Sequence, residues 1–234
     1  MVVIFVRPLF TLDERLHTIA AMIPEGSTVA DVGTDHARLP VWLVKSGRCK
    51  RAVATDINQG PLQKAQQTVN AYRVGHAVDL IQCDGLSGVD TGTVDCVVIA
   101  GMGGELIADI LEAWLGQNTS KKPMLLLQPM SRTPLLREFL AKNGFFTEEE
   151  RFVQSGRRVY SILKAQYGDT NRKISEVEIQ TGPMKEAMGQ VQRLYIQKRL
   201  ASLKREQNGL DGEGQKKQSM LIAQIEDILR SGEL

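Results

Sequence analysis

At 234 residues the chain is long enough for one domain of ordinary size plus an appendage, and with 24% charged residues and a net charge of only +2 its global charge selects no partner, so any nucleic-acid surface must be a local patch. Cys49, Cys83 and Cys96 form no CxxC pair, and Cys83 and Cys96 sit in apolar runs that read as buried strands. This usage favours small core side chains in a reducing cytoplasm over a disulfide framework or a zinc site.

The opening stretch, Met1 to Pro8, is apolar but too short to span a bilayer, and it lacks a basic leader and a small-residue cleavage site. It reads as an irregular extension of a cytoplasmic protein without a membrane segment. Leu12, Leu16, Ile19 and Ala20 at helical spacing predict a first helix over Leu12 to Met22, ended by Pro24-Glu25-Gly26. Strand and helix then alternate. Val29 to Val32, Arg51 to Thr55, Val78 to Gln82, Val94 to Ala100 and Met124 to Leu127 read as strands. Helices are predicted over Pro40 to Lys45, Leu62 to Tyr72, Glu105 to Leu115 and Thr133 to Lys142, the last stopped by Asn143-Gly144. Phe145 to Gln154 and Arg158 to Ala165 follow as two strands separated only by Ser155-Gly156-Arg157, a gap that permits only an antiparallel hairpin. Five βα units closed by one hairpin predict an α/β fold, a mostly parallel seven-stranded sheet with an antiparallel edge. Apolar runs such as Val97-Val98-Ile99 suit burial on both faces.

Gly168 to Asn171 reads as a linker, which divides the chain into residues 1–167 and 168–234. Beyond it, Met184, Met188, Val191 and Tyr195 continue into Leu200 and Leu203 at helical spacing; Asn208 to Gly214 is a glycine-rich turn, and Leu221, Ile222, Ile225, Ile228 and Leu229 carry a second helix. Two such helices predict an antiparallel, coiled-coil hairpin with a narrow apolar seam. Lys185, Arg193, Lys198, Arg199, Lys204, Arg205, Lys216 and Lys217 lie on it against few acids before Glu226. They form either the solvated outer face of a coiled coil or a phosphate-contacting arm, and with Tyr195 as the lone aromatic the arm would hold backbone rather than read bases.

The chemistry concentrates in Val29-Ala-Asp-Val-Gly-Thr-Asp-His-Ala-Arg-Leu-Pro40 and, one βαβ unit later, Ala54-Thr-Asp56. An apolar run ending in an acidic, glycine-bearing turn, then a second run ending in an acid, is how an adenosyl-type cofactor is gripped at the carboxyl edge of a parallel sheet. A dinucleotide needs three glycines so that backbone amides can reach its pyrophosphate, and this turn has only Gly33. S-adenosylmethionine carries no phosphate but an ammonium, a carboxylate and a sulfonium, which an acidic turn with Asp31 and Asp35 suits better. Asp56 is placed for the ribose hydroxyls. Leu80-Ile-Gln-Cys-Asp84-Gly85 supplies a third acid, for the adenine edge. Singly each acid also fits an Asp bonding nearby turn amides, but recurrence at the ends of three successive apolar runs favours the cofactor.

Ile99-Ala100-Gly101-Met102-Gly103-Gly104-Glu105 closes the fourth strand, whose mouth faces the transferable methyl in such a fold. Its glycines would let a flat acceptor approach the backbone, or else serve a tight strand-to-helix turn. There is no Asp/Asn-Pro-Pro-aromatic tetrad of the kind that holds exocyclic amines, nor a cysteine at a strand mouth, since Cys83 and Cys96 are read within strands. Direct displacement by an available lone pair remains.

Asp31-Val-Gly-Thr-Asp-His-Ala-Arg-Leu-Pro40, Ile99-Ala-Gly-Met-Gly-Gly104 and Leu127-Gln-Pro-Met130 resemble the bacterial tRNA adenine-N1 methyltransferases that modify adenosine 22, over nearly the whole chain. The resemblance implies a Rossmann-like class I methyltransferase domain with a C-terminal coiled-coil domain for tRNA, S-adenosyl-L-methionine as donor, N1 of one tRNA adenine as acceptor, and no metal. A monomer suffices. It implies that Gly33, Thr34, Asp35 and His36, with Asp31, line the methionine end, Asp56 and Ile57 the ribose, and Asp84 and Gly85 the adenine. Ala100 and Gly101 adjoin the cofactor, and Gly101 to Gly104, with Met102 and Gly103, face the target base. Asp35 is the candidate carboxylate beside the cationic product ring, with His36 orienting it. Arg38 and Met130 depart from the Tyr and Asn of many members, so an aromatic or amide contact at those places is not assumed, and Met130 is read as a packing residue. Arg132 reads as a surface arginine within reach of a phosphate, and Tyr160 as structural. A methyltransferase of a small molecule, or a non-catalytic RNA-binding protein on the same fold, are the alternatives.

Overall fold

The computed structural model describes residues 8–117, 121–168, 173–184 and 188–231. The predicted extension over residues 1–7, residues 169–171 of the predicted linker and Lys185 lie outside the described residues. In chain order the elements are α1 (Glu14–Met22), β1 (Ser27–Val32), α2 (Arg38–Lys45), β2 (Cys49–Asp56), α3 (Gln59–Tyr72), β3 (Val78–Gln82), β4 (Cys96–Met102), α4 (Gly104–Leu115), β5 (Met124–Pro129), α5 (Thr133–Lys142), β6 (Phe145–Ser155), β7 (Arg158–Tyr167), α6 (Glu176–Thr181), α7 (Gln190–Gln207) and α8 (Gly212–Ser231).

The strands form one sheet in the order β3-β2-β1-β4-β5-β7-β6. All pairings from β3 to β5 are parallel, and β7 runs antiparallel to both β5 and β6. The order reverses between β1 and β4, which opens a crevice at their carboxyl ends. Side chains alternate across the sheet. Ala30, Val32, Val97, Ile99, Leu125 and Leu127 meet α4 and α5 on one face, while Val29, Val98 and Leu126 meet Ile19, Ile23, Leu39 and Leu43 of the α1–α2 side on the other. Period-two parity therefore turns Asp31 to the side of Val29, toward α1.

Four of the five parallel strands, rather than all five as expected, are followed by a helix. Between β3 and β4 lies a chain of turns, with Gly85 at φ +54° and the Asp90 carboxylate accepting from the Gly92 amide, residues that favour turns over helix. A second correction concerns the cysteines. Cys83 follows β3 instead of lying within it, its thiol 3.5 Å from the Gly85 carbonyl. Cys49 and Cys96 are buried at strand starts, where burial pushes the Cys49 thiol up to about 11 and the Cys96 thiol higher still.

The C-terminal part also differs from its sequence pattern. α6 was not expected, although Ser175-Glu-Val-Glu178 has the spacing of a capped start, and the Ser175 hydroxyl accepts from the Glu178 amide. α7 begins at Gln190 instead of Met184, and α8 begins at Gly212, inside the expected turn. Contacts Arg193–Leu229, Leu203–Gln218 and Gln207–Ser219 run in opposite senses along the two helices, so they are antiparallel. The buried seam is Ile196, Leu203, Leu221, Ile222, Ile225 and Leu229. Tyr195, read as part of the seam, also faces the sheet: its ring is 4.9 Å from Phe152 and its hydroxyl accepts from Arg137 Nη2 at 3.1 Å. Arg137 is the pivot of this junction. It pairs with Glu150 of β6 at 2.6 Å and donates to the Ile179 carbonyl at 2.7 Å, with both charged side chains buried. Burial pulls the guanidinium's pKa down, but the Glu150 charge and the bonds to Glu150 and Tyr195 more than reverse it, so Arg137 stays charged.

Candidate active site at the mouth of β1 and β4

The turn after β1 is built around Gly33, whose φ of +77° suits glycine. The Gly33 and Thr34 amides both donate to the Thr55 carbonyl at 2.8 Å, so they tie β1 to β2 instead of pointing outward to a phosphate. Asp31 is buried beneath this turn; burial pushes its carboxyl up to about 6, against a hydrogen bond from the Thr34 side chain. Asp35 is 74% exposed and lies 3.3 Å from His36 Nε2. Asp31, Gly33, Thr34, Asp35, His36, Ala100 and Gly101 line one cavity of about 540 Å³.

Sequence reading missed the contribution of α1. Asp13, Arg15 and Leu16 also line that cavity. Asp13 caps the helix by accepting from the Leu16 amide at 2.9 Å and also takes Arg15 Nη2 at 3.0 Å. Arg15 Nη1 donates at 2.7 Å to Oε1 of Gln128, a fully buried amide at the end of β5, and its guanidinium lies over the buried Tyr160 ring. Met130 is 38% exposed, with its sulfur 3.8 Å from Arg15 and 3.6 Å from Gln128 Nε2, which corrects the reading of it as a plain packing residue. Arg38 donates to the Thr11 carbonyl and covers the Phe10 ring at 4.9 Å, fastening the segment before α1 beside the cavity. The helix itself was readable from its apolar spacing, but nothing local showed that its first turn, capped by Asp13, would stand at the cavity.

The remaining cofactor candidates stand at the neighbouring mouth of β2 and β3, outside the cavity wall. Asp56 Oδ1 accepts from the Asn58 amide at 2.8 Å, its main-chain carbonyl accepts from Cys83, and Thr55 Oγ1 donates to the Gly85 carbonyl. The last two bonds tie the end of β2 to the turn after β3. Ile57 is 57% exposed, and Asp84 is exposed on the turn that follows.

At β4 the glycines divide by role. Gly101 has φ +86° at a bulge between Ala100 and Met102, and a Cβ there would meet nothing within 4 Å. A Cβ on Gly104 would lie 2.6 Å from the Arg132 carbonyl and 2.9 Å from that of Ser131, and its amide donates to Ser131. Gly104 therefore serves close packing against the start of α5. Met102 is half-buried and packs its Cε against Gly33, and Gly103 adjoins Ser131.

A second groove, of about 500 Å³, runs between the start of α5 and α7, with Arg132, Lys198, Arg199, Arg205 and Glu206 on its walls. The hairpin is less basic than its list of cations suggested. Arg199 pairs with Glu206, Lys204 with Glu226, and Lys217 with Glu213. Among the described residues no cluster of His, Cys, Asp and Glu is arranged to hold a metal ion, and no helix is long and apolar enough to cross a membrane.

Residues 12–163 match the family model for a methyltransferase domain. A Bacillus subtilis protein named tRNA (adenine(22)-N(1))-methyltransferase is 35% identical over 171 residues, 73% of this chain and 71% of that one. The crystal structure of the B. subtilis M1A22 tRNA methyltransferase TrmK superposes with a TM-score of 0.81 at 30% identity, covering 96% of this chain and 99% of that one. Sp1610 of Streptococcus pneumoniae, solved in complex with S-adenosyl-L-methionine, gives 0.82 at 32% identity over 94% of this chain and all (100%) of that one. The acid-lined crevice at the β1–β4 switch thus lies in a chain that belongs to the tRNA (adenine(22)-N1)-methyltransferase family.

Proposed function

We infer that this protein transfers a methyl group from S-adenosylmethionine to N1 of adenine 22 in tRNA, acting as a monomer in the cytoplasm. The observation that carries the reading is the cavity that joins the acidic β1 turn to the open face of Gly101, in a chain of this family. The donor set fits the cofactor: with the Gly33 and Thr34 amides committed to Thr55, the turn suits a ligand without phosphate and offers carboxylates for an ammonium. Bound there, S-adenosylmethionine supplies an electrophilic methyl.

The chain's own residues divide the remaining work. Asp31 and the main chain of Gly33, Thr34 and Ala100 hold the methionine end, with Arg15 in the same cavity for its carboxylate. Asp56 and Ile57 hold the ribose, the second Asp56 oxygen being left for a hydroxyl, and Asp84 and Gly85 border the adenine. Gly101, Met102 and Gly103 border the target base. N1 of adenine is unprotonated at neutral pH, so it needs orientation more than a base, and orientation of this kind can supply ~7–11 kcal/mol of a barrier. The product ring is cationic. Asp35 places a carboxylate where that charge develops, and His36 orients it; a docked RNA that excludes water strengthens the effect of so exposed a group. Residues 1–167 form the methyltransferase domain, and residues 168–234 the helical unit that holds tRNA backbone while the adenosine leaves its stack, at a cost of a few kcal/mol.

The test is methyl transfer from labelled cofactor to unmodified tRNA, with the product nucleoside mapped by mass spectrometry. N1-methyladenosine at position 22, absent from a transcript carrying guanosine there, is expected. Methylation elsewhere, or of no RNA, overturns the assignment.

A further inference from the structure

We propose that the groove between the segment before α1 and the outer face of α3 is a binding site for RNA backbone, taking the strand that flanks the target adenosine on the side away from the C-terminal hairpin. The proposal rests on tRNA being the substrate. The groove, of about 710 Å³, is lined by Phe10, His36 and Arg38 and, from α3, by Lys64, Gln67, Thr68, Ala71 and Tyr72. His36 and Arg38 also line the cavity described above, so the two spaces share a rim. A polynucleotide whose base entered the cavity would lay its neighbouring phosphates across that rim.

Charge complementarity names the occupant. No acid lines the groove. α3 contains neither Asp nor Glu, and from His36 to Val78 the only acid is Asp56, against Arg38, Lys45, Arg48, Lys50, Arg51, Lys64 and Arg73. Of these, Arg48 and Arg51 are spent on Glu25 and Asp79, while Arg38 and Lys64 have no ion pair among the described residues. Lys64, Gln67, Thr68 and Ala71 fall at i, i+3, i+4 and i+7, one face of a helix, and Lys64 and Gln67 present an ammonium and an amide there, the Thr68 hydroxyl being spent on the Lys64 carbonyl. Arg38 is held at the rim by the Thr11 carbonyl and the Phe10 ring, so little side-chain freedom is lost on meeting a phosphate. By contrast, several of the hairpin's cations are already paired with carboxylates, which leaves α3 as the acid-free face at the mouth.

The experiment measures tRNA affinity of the full chain as a function of KCl, with cofactor affinity by calorimetry and steady-state methyl transfer alongside. Lys64→Glu is expected to weaken tRNA binding about tenfold near 0.1 M salt and to lower the slope of log K against log [KCl] by about one, as for one lost phosphate contact. It raises KM for tRNA and leaves kcat and cofactor affinity unchanged. Gln67→Glu, on the same face, gives a smaller loss, and Lys64→Arg behaves like the parent. Parental affinity and slope in both acidic variants, or a fall in kcat or cofactor affinity instead, overturns the proposal. A parent that shows no salt-dependent tRNA binding fails the reading it rests on, a result distinct from a parent that binds tRNA equally well with and without Lys64.

Discussion

Asp31→Asn is expected to stabilise the protein while weakening its grip on the cofactor. The Asp31 carboxyl is buried under the Gly33 turn, and burial raises its pKa from the ordinary 3.8 to about 6. A difference of about two, at ~1.4 kcal/mol for each tenfold, means that the folded state disfavours the ionised carboxylate by about 3 kcal/mol. The sign follows from proton binding: the folded chain holds this proton more tightly than the unfolded one, so stability is full below pH 4, falls as pH rises through about 6, and stays reduced above it. Asparagine does not titrate there and still accepts from Thr34. The variant should therefore match the parent near pH 4 and exceed it by up to ~3 kcal/mol at pH 7 to 8, read from urea unfolding at a series of pH values. Saturating cofactor should favour the parent, because a bound ammonium compensates the buried charge that the variant lacks. A stability difference that stays flat from pH 4 to 8 would refute the argument, as would equal stabilisation of both proteins by cofactor.

Arg137→Met should cost ~3–5 kcal/mol by leaving Glu150 charged and buried, whereas Arg137→Met with Glu150→Leu should recover most of it; equal losses in the two chemical denaturation curves would deny the pair its role. Gly104→Ala forces a Cβ against the Arg132 and Ser131 carbonyls and should lower Tm, at a cost of ~1–3 kcal/mol. Gly101→Ala has room for its Cβ but not the backbone for it, so it should cost less in the melt and more in turnover; the reverse order would contradict the roles given to the two glycines. Asp35→Ala should reduce kcat at least tenfold at saturating cofactor, and wild-type turnover would remove it from the mechanism.

The strands and helices that build the site were legible because their signals are local. Val97-Val98-Ile99 can only be buried on both faces, and Phe145 to Ala165 can only fold back on itself. The acidic β1 turn and the β4 glycines were legible for the same reason, since a lone Gly33 between Asp31 and Asp35 marks the turn and its charge within five residues. α6 carried a readable cap and was missed because it is only six residues long, too short for an apolar period to show.

What the sequence determined by itself was therefore the order of the strands along the chain, the parallel sheet and an acidic first turn with a single glycine. Tertiary structure alone decided who stands beside that turn. Arg15 reaches Gln128 across 113 residues, Arg137 binds the Ile179 carbonyl and the Tyr195 hydroxyl from 42 and 58 residues away, and Gly104 is explained by carbonyls of the next βα unit. Periodicity encodes which face of an element is buried, but not which distant side chain meets it. Charge behaves alike: the hairpin's cations were countable in the chain, yet only folding showed that Glu206, Glu213 and Glu226 neutralise several of them, and that the acid-free face beside the site belongs to α3.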